Sequence, residues 1–531
     1  MRRKRKLVLA SRAETIRFSL LIFFSLAISF VACSSNDRIA EYVHYRISYN
    51  PTSLDPALIV DVTGGLIAAK LFNGLVRLDD DLEIVPDLAE SWDISPDGKT
   101  YTFHLRRDVR FSNGRTIAAA DVKYSFERIL DPGGKSPNTW ILDKISGAKA
   151  FMKGESSDVS GIIISDPYTI RIILEKPFSP FLSLLTMTAA YVVPKEEIKK
   201  WGEEFSSHPV GSGPFRLTQW KHNNHLLLDR NEDYFGGMAM AAGLRYRIIP
   251  EDLTAITEFE LGNLDVISVP ASEYRRILRT NAGNNLVSSM EGINTYYLGF
   301  NCSRPPFDDM RARKAVSLAI DRKMILETFY ENRGRLAHGP IPDILRHWDA
   351  PVPPDYDPAA AKQLIDEAGM KGKEIQLYIT ADAEVVDIAE IIQSYLRSSG
   401  LSVIIKQLEW SSYKAAINNG EADMFWISWW ADYPDPENFL FPLFHSSNHG
   451  PSGNRTRYTN KAVDALIEAG QKSTTRGERN HYYRLAERVI VEDAPWVFFW
   501  HKSDITLRQA TLRGYRIYPI YSIDKGLEVS F

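Results

Sequence analysis

The sequence predicts an α/β protein with more than one domain, and three observations support this class. From about residue 357 onward, short apolar strands alternate with helices, a spacing typical of βαβ units. Before residue 200, turn signals instead separate segments with the period-two alternation of half-buried strands. At 531 residues and 44% hydrophobic content, the chain is long enough to build two or three hydrophobic cores.

The first half of the chain contains the more β-rich region. Tyr101, Phe103 and Leu105 alternate with polar residues after the turn signal Ser95-Pro96-Asp97-Gly98, which indicates a strand with one buried face. The elements expected in this half are a turn-rich stretch at 50–56, a helix at 65–75, a strand at 101–105, a helix at 122–130 and a hairpin within 162–174.

The second half reads as alternating helices and strands. Asp357-Pro358 has the chemistry of a helix start and Gly369 that of a helix stop. The elements expected after that helix are a strand at 374–380, a helix at 384–399, a strand at 401–407, a helix at 413–419 and a strand at 424–428. This order predicts a parallel sheet covered on both faces, and ligands bind beyond the carboxyl ends of such strands. Residues 429–436 leave the last strand at such an end.

The N-terminus predicts export. A basic stretch within residues 2–17 precedes an apolar run at 18–32, which is short for a membrane span. Cys33 then follows Val31-Ala32, an arrangement that resembles the lipobox of bacterial lipoproteins. We therefore expect cleavage of residues 1–32 and acylation of Cys33, which would anchor the protein to a membrane by lipid. Phe30 stands where the lipobox usually has Leu, so an uncleaved N-terminal anchor is the alternative; both export the remaining chain.

The charge balance argues against nucleic acid as a partner. Removal of residues 1–32 takes away seven basic residues and one acidic residue, which changes the net charge from −4 to −10. Nucleic acids and anionic lipids instead bind proteins through basic patches. The chain has two cysteines, so acylation of Cys33 would leave Cys302 without a disulfide partner.

Motifs that would indicate catalysis are missing from the sequence. It contains no HExxH, no GxSxG, no Walker loop and no cysteine pair with metal-binding spacing. We therefore expect a protein that is not an enzyme and that needs no metal or cofactor. An envelope hydrolase is the disfavoured alternative.

Aromatic residues surround one acid at the predicted strand end. Trp429, Trp430 and Tyr433 lie around Asp432, and flat rings beside a shielded carboxylate favour a ligand with an ammonium group. The alternative is that an acid here only caps the next helical segment, 437–443. We assign the capping role to Asp435, because Pro436 follows it, and the ligand role to Asp432.

Several motifs together resemble the family 5 extracellular solute-binding proteins, the oligopeptide- and dipeptide-binding receptors of ABC importers. The resemblance covers nearly all of the chain after residue 33. The motifs that carry it are PDLAESWDISPDGKTYTFHLRRDVRFSNGRTIAAADVKYSFERILDP (86–132), PVGSGPFRLTQW (209–220), NEDYFGG (231–237), YLGFN (297–301), PFDDMRARKAVSLAIDRKMI (306–325), WWADYPDPENFLFPLF (429–444) and EDAPWVFFW (492–500).

The resemblance implies a two-lobed periplasmic-binding-protein-like fold of type II, with an extra domain inserted in the first lobe. Lobe I would comprise residues 37–72, 205–297 and 513–531, and the inserted domain residues 73–204. Lobe II would comprise residues 298–512. Crossovers near 299–301 and 513–515 would form the hinge for closure around a ligand.

The resemblance also implies a binding site. Asp432 would pair with the α-ammonium group of a peptide, and the main chain of 428–430 would bind the peptide as an added strand. Trp140 would be either a pocket wall or a domain-packing residue. The ligand-binding residues expected on this basis are Val60, Val62, Trp140, Ser428, Trp429, Trp430, Ala431, Asp432 and Tyr433.

The implied function is the capture of short peptides and their delivery to an ABC permease in the membrane. The protein would be a monomer in the cell envelope, on the periplasmic side of the inner or outer membrane or at the cell surface. Two alternatives stay open. The same fold could bind a nickel chelate, a sugar, haem or another solute, or it could act as a ligand sensor.

Overall fold

The computed structural model describes residue 39 and residues 41–281 and 286–531. The predicted signal peptide at 1–32 and the predicted lipidation residue Cys33 lie outside the described residues, and both stay predictions. The strands are β1 Tyr42–Ile47, β2 Val76–Leu78, β3 Ile84–Pro86, β4 Ala89–Ile94, β5 Thr100–Leu105, β6 Ile162–Asp166, β7 Thr169–Ile173, β8 Phe215–Lys221, β9 His225–Arg230, β10 Gly243–Ile248, β11 Val266–Ser268, β12 Val287–Glu291, β13 Asn294–Phe300, β14 Gly334–Leu336, β15 Glu374–Thr380, β16 Ser402–Leu408, β17 Met424–Trp430 and β18 Trp496–Arg508.

Helices connect these strands and cover their faces. They are Val62–Leu71, Ala119–Leu130, Ala148–Met152, Phe181–Leu184, Lys195–Trp201, Asp252–Glu260, Tyr274–Asn281, Met310–Ala319, Arg322–Met324, Pro358–Glu367, Ala383–Ser398, Trp410–Asn419, Glu437–Phe444, Lys461–Lys472 and Arg476–Asp493. Asp357 accepts hydrogen bonds from the main-chain N of Ala359 and Ala360, which confirms the helix start expected at Asp357-Pro358.

Most strands belong to one mixed sheet with the order β16-β15-β17-β13-β18-β11-β1-β10-β9-β8, and β12 and β14 also pair with β18. The long strand β18 pairs with β13 over Trp496–Trp500 and with β11 over Thr506–Arg508. One continuous strand therefore connects the two halves of this sheet.

A smaller antiparallel sheet lies in the region where the sequence predicts hairpins. Its order is β4-β5-β7-β6, and β2 pairs separately with β3. Along β5, Tyr101, Phe103 and Leu105 are buried and the residues between them are partly exposed, which confirms the predicted alternation.

The βαβ region forms as predicted, with two corrections. Strand β15 pairs in parallel with β16 and with β17, but β17 pairs with β13 in the antiparallel direction, so the sheet is mixed rather than parallel. Strand β17 also continues to Trp430 instead of ending at Ser428. Its last residues stay in the sheet because they pair with Asn294 and Thr295 of β13.

Separate apolar cores form in different parts of the chain. One lies among residues 57–192, and another unites residues 43–72 with parts of 191–266 and the C-terminal segment. Two further cores pack around β13, β15, β17 and β18. The lobe and domain boundaries derived from the resemblance stay a prediction.

Candidate ligand-binding site

The loop between β17 and the helix Glu437–Phe444 carries Asp432, and Asn438 holds this loop in place. Asn438 Oδ1 accepts hydrogen bonds from the Asp432 main-chain N at 3.0 Å and from Trp429 Nε1 at 3.2 Å, and its Nδ2 donates to Asp432 Oδ2 at 3.4 Å. Asn438 is 2% exposed, so the amide end of each of these bonds is buried and its position is fixed by the surrounding protein. Asn438 thus orients the Asp432 carboxylate.

Asp435 has the capping role assigned to it from the sequence. Its Oδ1 accepts from the Glu437 main-chain N at 2.9 Å, and its Oδ2 accepts from Ser183 Oγ at 3.3 Å. Arg479 lies 3.1 Å from the same Oδ2. Asp435 is therefore buried and fully engaged within the protein.

Asp432 is free to bind a ligand cation. It faces solvent on one side, while protein crowds it elsewhere. This crowding raises the pKa of the Asp432 carboxyl above its usual value, and the hydrogen bond from Asn438 opposes the rise. Within the described residues, no lysine, arginine or histidine forms an ion pair with Asp432. The site therefore holds a partly desolvated acid that lacks a protein counter-ion.

Asp432 lines a cavity of about 1120 Å³ with aromatic walls. Trp429 and Tyr433 line it beside Asp432, and Trp140 and Phe178 line it from the predicted inserted domain. The rings of Trp140 and Tyr433 lie 6.2 Å apart between centroids, with an angle of 35° between their planes. Aromatic side chains beside placed polar groups are typical of sites for small ligands.

A second acid, Glu437, supports Tyr433. The Tyr433 hydroxyl donates to Glu437 Oε2, and Gln471 Nε2 donates to Glu437 Oε1 at 2.6 Å. Burial raises the pKa of Glu437 to about 7, and the neighbouring Asp435 carboxylate adds to this rise. We call Asp432, Tyr433, Glu437 and Asn438 the acidic wall.

Lysines line the cavity from the predicted inserted domain. Lys144 pairs with Asp143 at 2.9 Å, but Lys149 and Lys176 form no ion pair with any described residue. Both are exposed, whereas hydrogen bonds join Asp432 to Asn438 and Tyr433 to Glu437. We call Lys144, Lys149 and Lys176 the lysine wall.

One edge of β17 is open next to this cavity. The Ala431 main-chain N donates to Ile293 O at 2.9 Å, and hydrogen-bonded pairs alternate along an antiparallel ladder. The N–H and C=O groups of Ser428 and Trp430 therefore point away from β13. On that side, β15 pairs with β17 only as far as Phe425, so no described strand covers these groups.

The structure brings together some of the residues predicted from the sequence and separates others. Four of them line the cavity, namely Trp140, Trp429, Asp432 and Tyr433. Ser428, Trp430 and Ala431 lie on the adjacent strand end and loop but do not line it. Val60 and Val62 are 65% and 60% exposed and also lie outside its walls.

Sequence reasoning missed several cavity residues. Asn438 and Glu437 lie inside the 429–444 motif, where an amide and an acid after Asp435-Pro436 were the available signal. Gln471 and the lysine wall gave no signal, because they come from segments that are distant along the chain. No group of His, Cys, Asp and Glu suited to a metal occurs among the described residues. None of the described helices is both long and apolar enough to span a bilayer.

Known proteins resemble this chain over most of its length. It is 31% identical to Heme-binding protein A of Haemophilus influenzae, covering 89% of each chain. It is 27% identical to Di/tripeptide-binding protein 2 of Pseudomonas aeruginosa, covering 96% of this chain and 98% of that one. The unliganded open form of MppA, a periplasmic murein tripeptide binding protein, superposes with a TM-score of 0.80 at 27% identity, over 92% of this chain and 97% of that one.

These likenesses confirm the predicted α/β fold of type II periplasmic binding proteins. The family model for bacterial extracellular solute-binding proteins, family 5, middle region, matches residues 83–451. The members of this family are binding proteins that act outside the cytoplasm. The chain therefore belongs to the family 5 bacterial extracellular solute-binding proteins.

Proposed function

We propose that this protein is the substrate-binding component of an ABC importer and captures short peptides by their N-terminal ammonium group. The observation that carries this proposal is the Asp432 carboxylate, which Asn438 orients and which no described basic side chain neutralises. A peptide ammonium supplies the missing positive charge. Charge-assisted hydrogen bonds of this kind contribute roughly 1.5–3 kcal/mol each.

The open edge of β17 supports a peptide rather than an arbitrary amine. An extended peptide that pairs with Ser428 and Trp430 satisfies their free main-chain groups and continues the sheet. Such pairing reads the backbone of the ligand, which is the same for every sequence. The cavity of about 1120 Å³ leaves room for different side chains and for water.

Closure of two lobes completes the proposed site. Val60 and Val62 flank Asp61, which caps the helix Val62–Leu71, and their exposed side chains are available to cover a ligand. MppA, to which the chain is similar, has an open form without ligand, which supports a role for lobe closure in binding. Closing would shield the ion pair at Asp432 from water and so strengthen it.

The cellular part of the proposal rests on the N-terminus and on the family. Export by residues 1–32 and acylation of Cys33 would hold the protein at the membrane that contains its permease. We propose delivery of the bound peptide to that permease as the step that follows capture. A deletion strain that still imports peptides normally would contradict this role and favour a sensor.

The decisive experiment is calorimetric titration of short peptides against the wild type and Asp432→Asn. We expect the substitution to weaken binding by about 2–5 kcal/mol, because it breaks a desolvated charge pair. N-acetylated peptides should bind both proteins equally weakly. Asp143→Asn, which removes another acid of the same cavity, is the matched control and should change affinity little. Equal affinity of the wild type and Asp432→Asn for free peptides would overturn the proposal.

The likeness to a haem-binding relative makes haem the second candidate ligand. The described cavity residues offer one histidine, His445, for the haem iron. Its Nδ1 lies 2.8 Å from Ser447 Oγ and its Nε2 lies 3.4 Å from Glu468 Oε1, so both ring nitrogens already have polar neighbours. Titration with haem, followed by its visible absorption, separates the two candidates, and we expect no saturable spectral change.

A further inference from the structure

The strand pair that joins the two halves of the large sheet is interrupted at one place. Strands β12 and β13 run along the same edge of β18, with β12 paired to residues 503–507 and β13 to residues 496–500. On its other edge β13 pairs with β17, whereas the far end of β18 pairs with β11. The interruption, residues 292–293 opposite 501–502, therefore lies where one half of the sheet passes into the other.

The side chain of Asn294 closes this interruption. Its Oδ1 accepts a hydrogen bond from the Lys502 main-chain N at 2.7 Å, and its Nδ2 donates to Lys502 O at 2.9 Å. The Gly292 main-chain N also donates to Lys502 O, at 3.0 Å. In a regular antiparallel ladder, the Lys502 N–H would bond to a main-chain carbonyl of the opposite strand. Here the amide of Asn294, which is 0% exposed, takes the place of that carbonyl.

The surroundings of Asn294 hold it in this position. His501 Nδ1 lies 2.7 Å from Asn294 O and donates to it, since a carbonyl oxygen only accepts. Burial lowers the pKa of His501 to about 4, so the ring is neutral near pH 7. A Cβ atom added at Gly292 would lie 2.4 Å from Asn294 Nδ2, closer than real contacts allow. Glycine at position 292 thus leaves the space that the amide occupies.

The interruption also contacts the strand end that carries the candidate site. Asn294 lies opposite Trp430 in the pairing of β13 with β17, and the Ala431 main-chain N donates to Ile293 O at 2.9 Å. Asp432 is the next residue along the chain. Any rotation of the backbone at the interruption is therefore transmitted to the main chain beside Asp432.

We propose that this interruption is the hinge between the two lobes and that the Asn294 amide keeps its strands paired while the lobes rotate. Closure around a ligand needs a place where the backbone can turn, and a break in the ladder provides it. The proposal moves the hinge from the crossovers expected near 299–301 and 513–515 to residues 292–294 and 501–502. Asn294 touches no ligand in this role and is a positioning residue, whatever solute the protein binds.

Small-angle X-ray scattering of the wild type and Asn294→Ala, each without ligand and with a saturating short peptide, tests this role. Without the amide, the Lys502 N–H loses its acceptor and the two strands separate more easily at the hinge. We expect a larger radius of gyration for the unliganded variant and equal values for the two liganded proteins. Peptide affinity, measured by calorimetry, should fall roughly tenfold, because fewer molecules have the lobe arrangement that binds.

Asn454→Ala is the matched control. Asn454 is also 0% exposed and also bonds to the main chain of one residue, since its Nδ2 donates to Tyr458 O at 2.9 Å and its Oδ1 accepts from Tyr458 N at 3.2 Å. Both residues lie within the predicted lobe II. Asn454→Ala should therefore lower the melting temperature but leave the scattering and the peptide affinity unchanged.

A second variant reaches the hinge without removing the amide. Gly292→Ala should displace the Asn294 side chain and reproduce the scattering of Asn294→Ala. Adding Gly292→Ala to Asn294→Ala should change the scattering little further, because both substitutions remove the same contact. If Asn294→Ala does not fold, Gly292→Ala decides the question in the same measurement.

The outcomes distinguish this inference from the proposed function. A lower melting temperature of Asn294→Ala with the scattering and affinity of the wild type assigns the residue to packing and overturns the inference. An equal change in scattering for Asn454→Ala shows a general loosening and also overturns it. Failure of the wild type to bind any peptide overturns the proposed function alone, since the unliganded scattering still tests the hinge.

Discussion

The two walls of the cavity contain opposite charges and are built in opposite ways. The groups of the acidic wall are joined by hydrogen bonds among Asp432, Tyr433, Glu437 and Asn438. In the lysine wall, Lys149 and Lys176 are exposed and form no ion pair with a described residue, whereas Lys144 is half-buried and pairs with Asp143. The hydrogen-bonded groups of the acidic wall suit a part of the ligand that is the same in every peptide, because their geometry is already fixed before binding. The exposed lysines suit a part of the ligand whose position varies from one peptide to another.

The largest effect expected from this contrast is a pH dependence of stability that arises in the acidic wall. The pKa of Glu437 is about 7 in the folded protein and about 4.5 in the unfolded chain. Its contribution to the free energy of unfolding is therefore fully present below pH 4.5 and is lost as the pH rises through 7. The loss amounts to about 3 kcal/mol. Relative to the wild type, Glu437→Gln should gain this amount between pH 4 and pH 8 in chemical denaturation. Glu175→Gln, an exposed acid of the same cavity, is the control, and an equal shift in both variants would contradict the assignment.

The next effect concerns the residue that orients Asp432. Asn438→Ala leaves Trp429 Nε1 and the Asp432 main-chain N without their acceptor, and we expect a loss of about 2 kcal/mol in stability. Affinity for free peptides should fall roughly tenfold as well, since each 1.4 kcal/mol is a factor of ten. Asn448→Ala removes a hydrogen bond to Phe441 O without touching the Asp432 loop. Loss of stability in both variants with unchanged peptide affinity would show that Asn438 only stabilises the fold.

A smaller effect should come from the aromatic contact between the walls. Trp140→Ala removes the ring beside Tyr433, and aromatic pairs contribute about 0.5–1.5 kcal/mol beyond buried area. We expect peptide affinity to fall by about 1 kcal/mol and Trp140→Phe to retain most of it. Trp410→Ala, an exposed tryptophan outside the cavity, is the control. A change in melting temperature alone would assign Trp140 to domain packing, the alternative that the sequence leaves open.

The smallest effect should come from the lysine wall. Replacing Lys149 and Lys176 together by Gln should lower the affinity for peptides with a free C-terminal carboxylate two- to fivefold, because exposed ion pairs contribute about 0.2–1 kcal/mol. Peptides with an amidated C-terminus should be unaffected, and 0.5 M salt should remove the difference. Lys153→Gln, close in sequence but outside the cavity, should change nothing. A loss as large as that of Asp432→Asn would contradict the proposed contrast between the walls.

Elements with strong local signals could be predicted from the sequence. Strand β15 occupies residues 374–380 as expected, because apolar periodicity and flanking turns determine a short strand locally. The prediction that β17 ends at Ser428 was wrong. Trp429 and Trp430 stay in the strand because they pair with β13, which lies more than a hundred residues earlier in the chain. The direction of β13 beside β17 was missed for the same reason, since it depends on a partner outside the local pattern.

The candidate site likewise contains residues that the sequence predicts and residues that it does not. Asp432 among aromatic residues, and Asp435 as the cap of the following helix, follow from residues that are adjacent in the chain. Asn438 could not be identified as the residue that holds Asp432, because its role depends on how the loop folds back onto the helix.

The sequence by itself determined the family, the class of fold and the acid that we propose as the anchor for the ligand, because each depends on a local pattern of residue types. The tertiary structure alone decided which side chains share a cavity. It placed Trp140 against Tyr433, brought lysines into the same cavity as Asp432, and left Val60 and Val62 outside the walls. The physical reason is that local conformation follows from short-range sterics and periodicity, whereas a cavity forms where distant segments pack without filling the space between them.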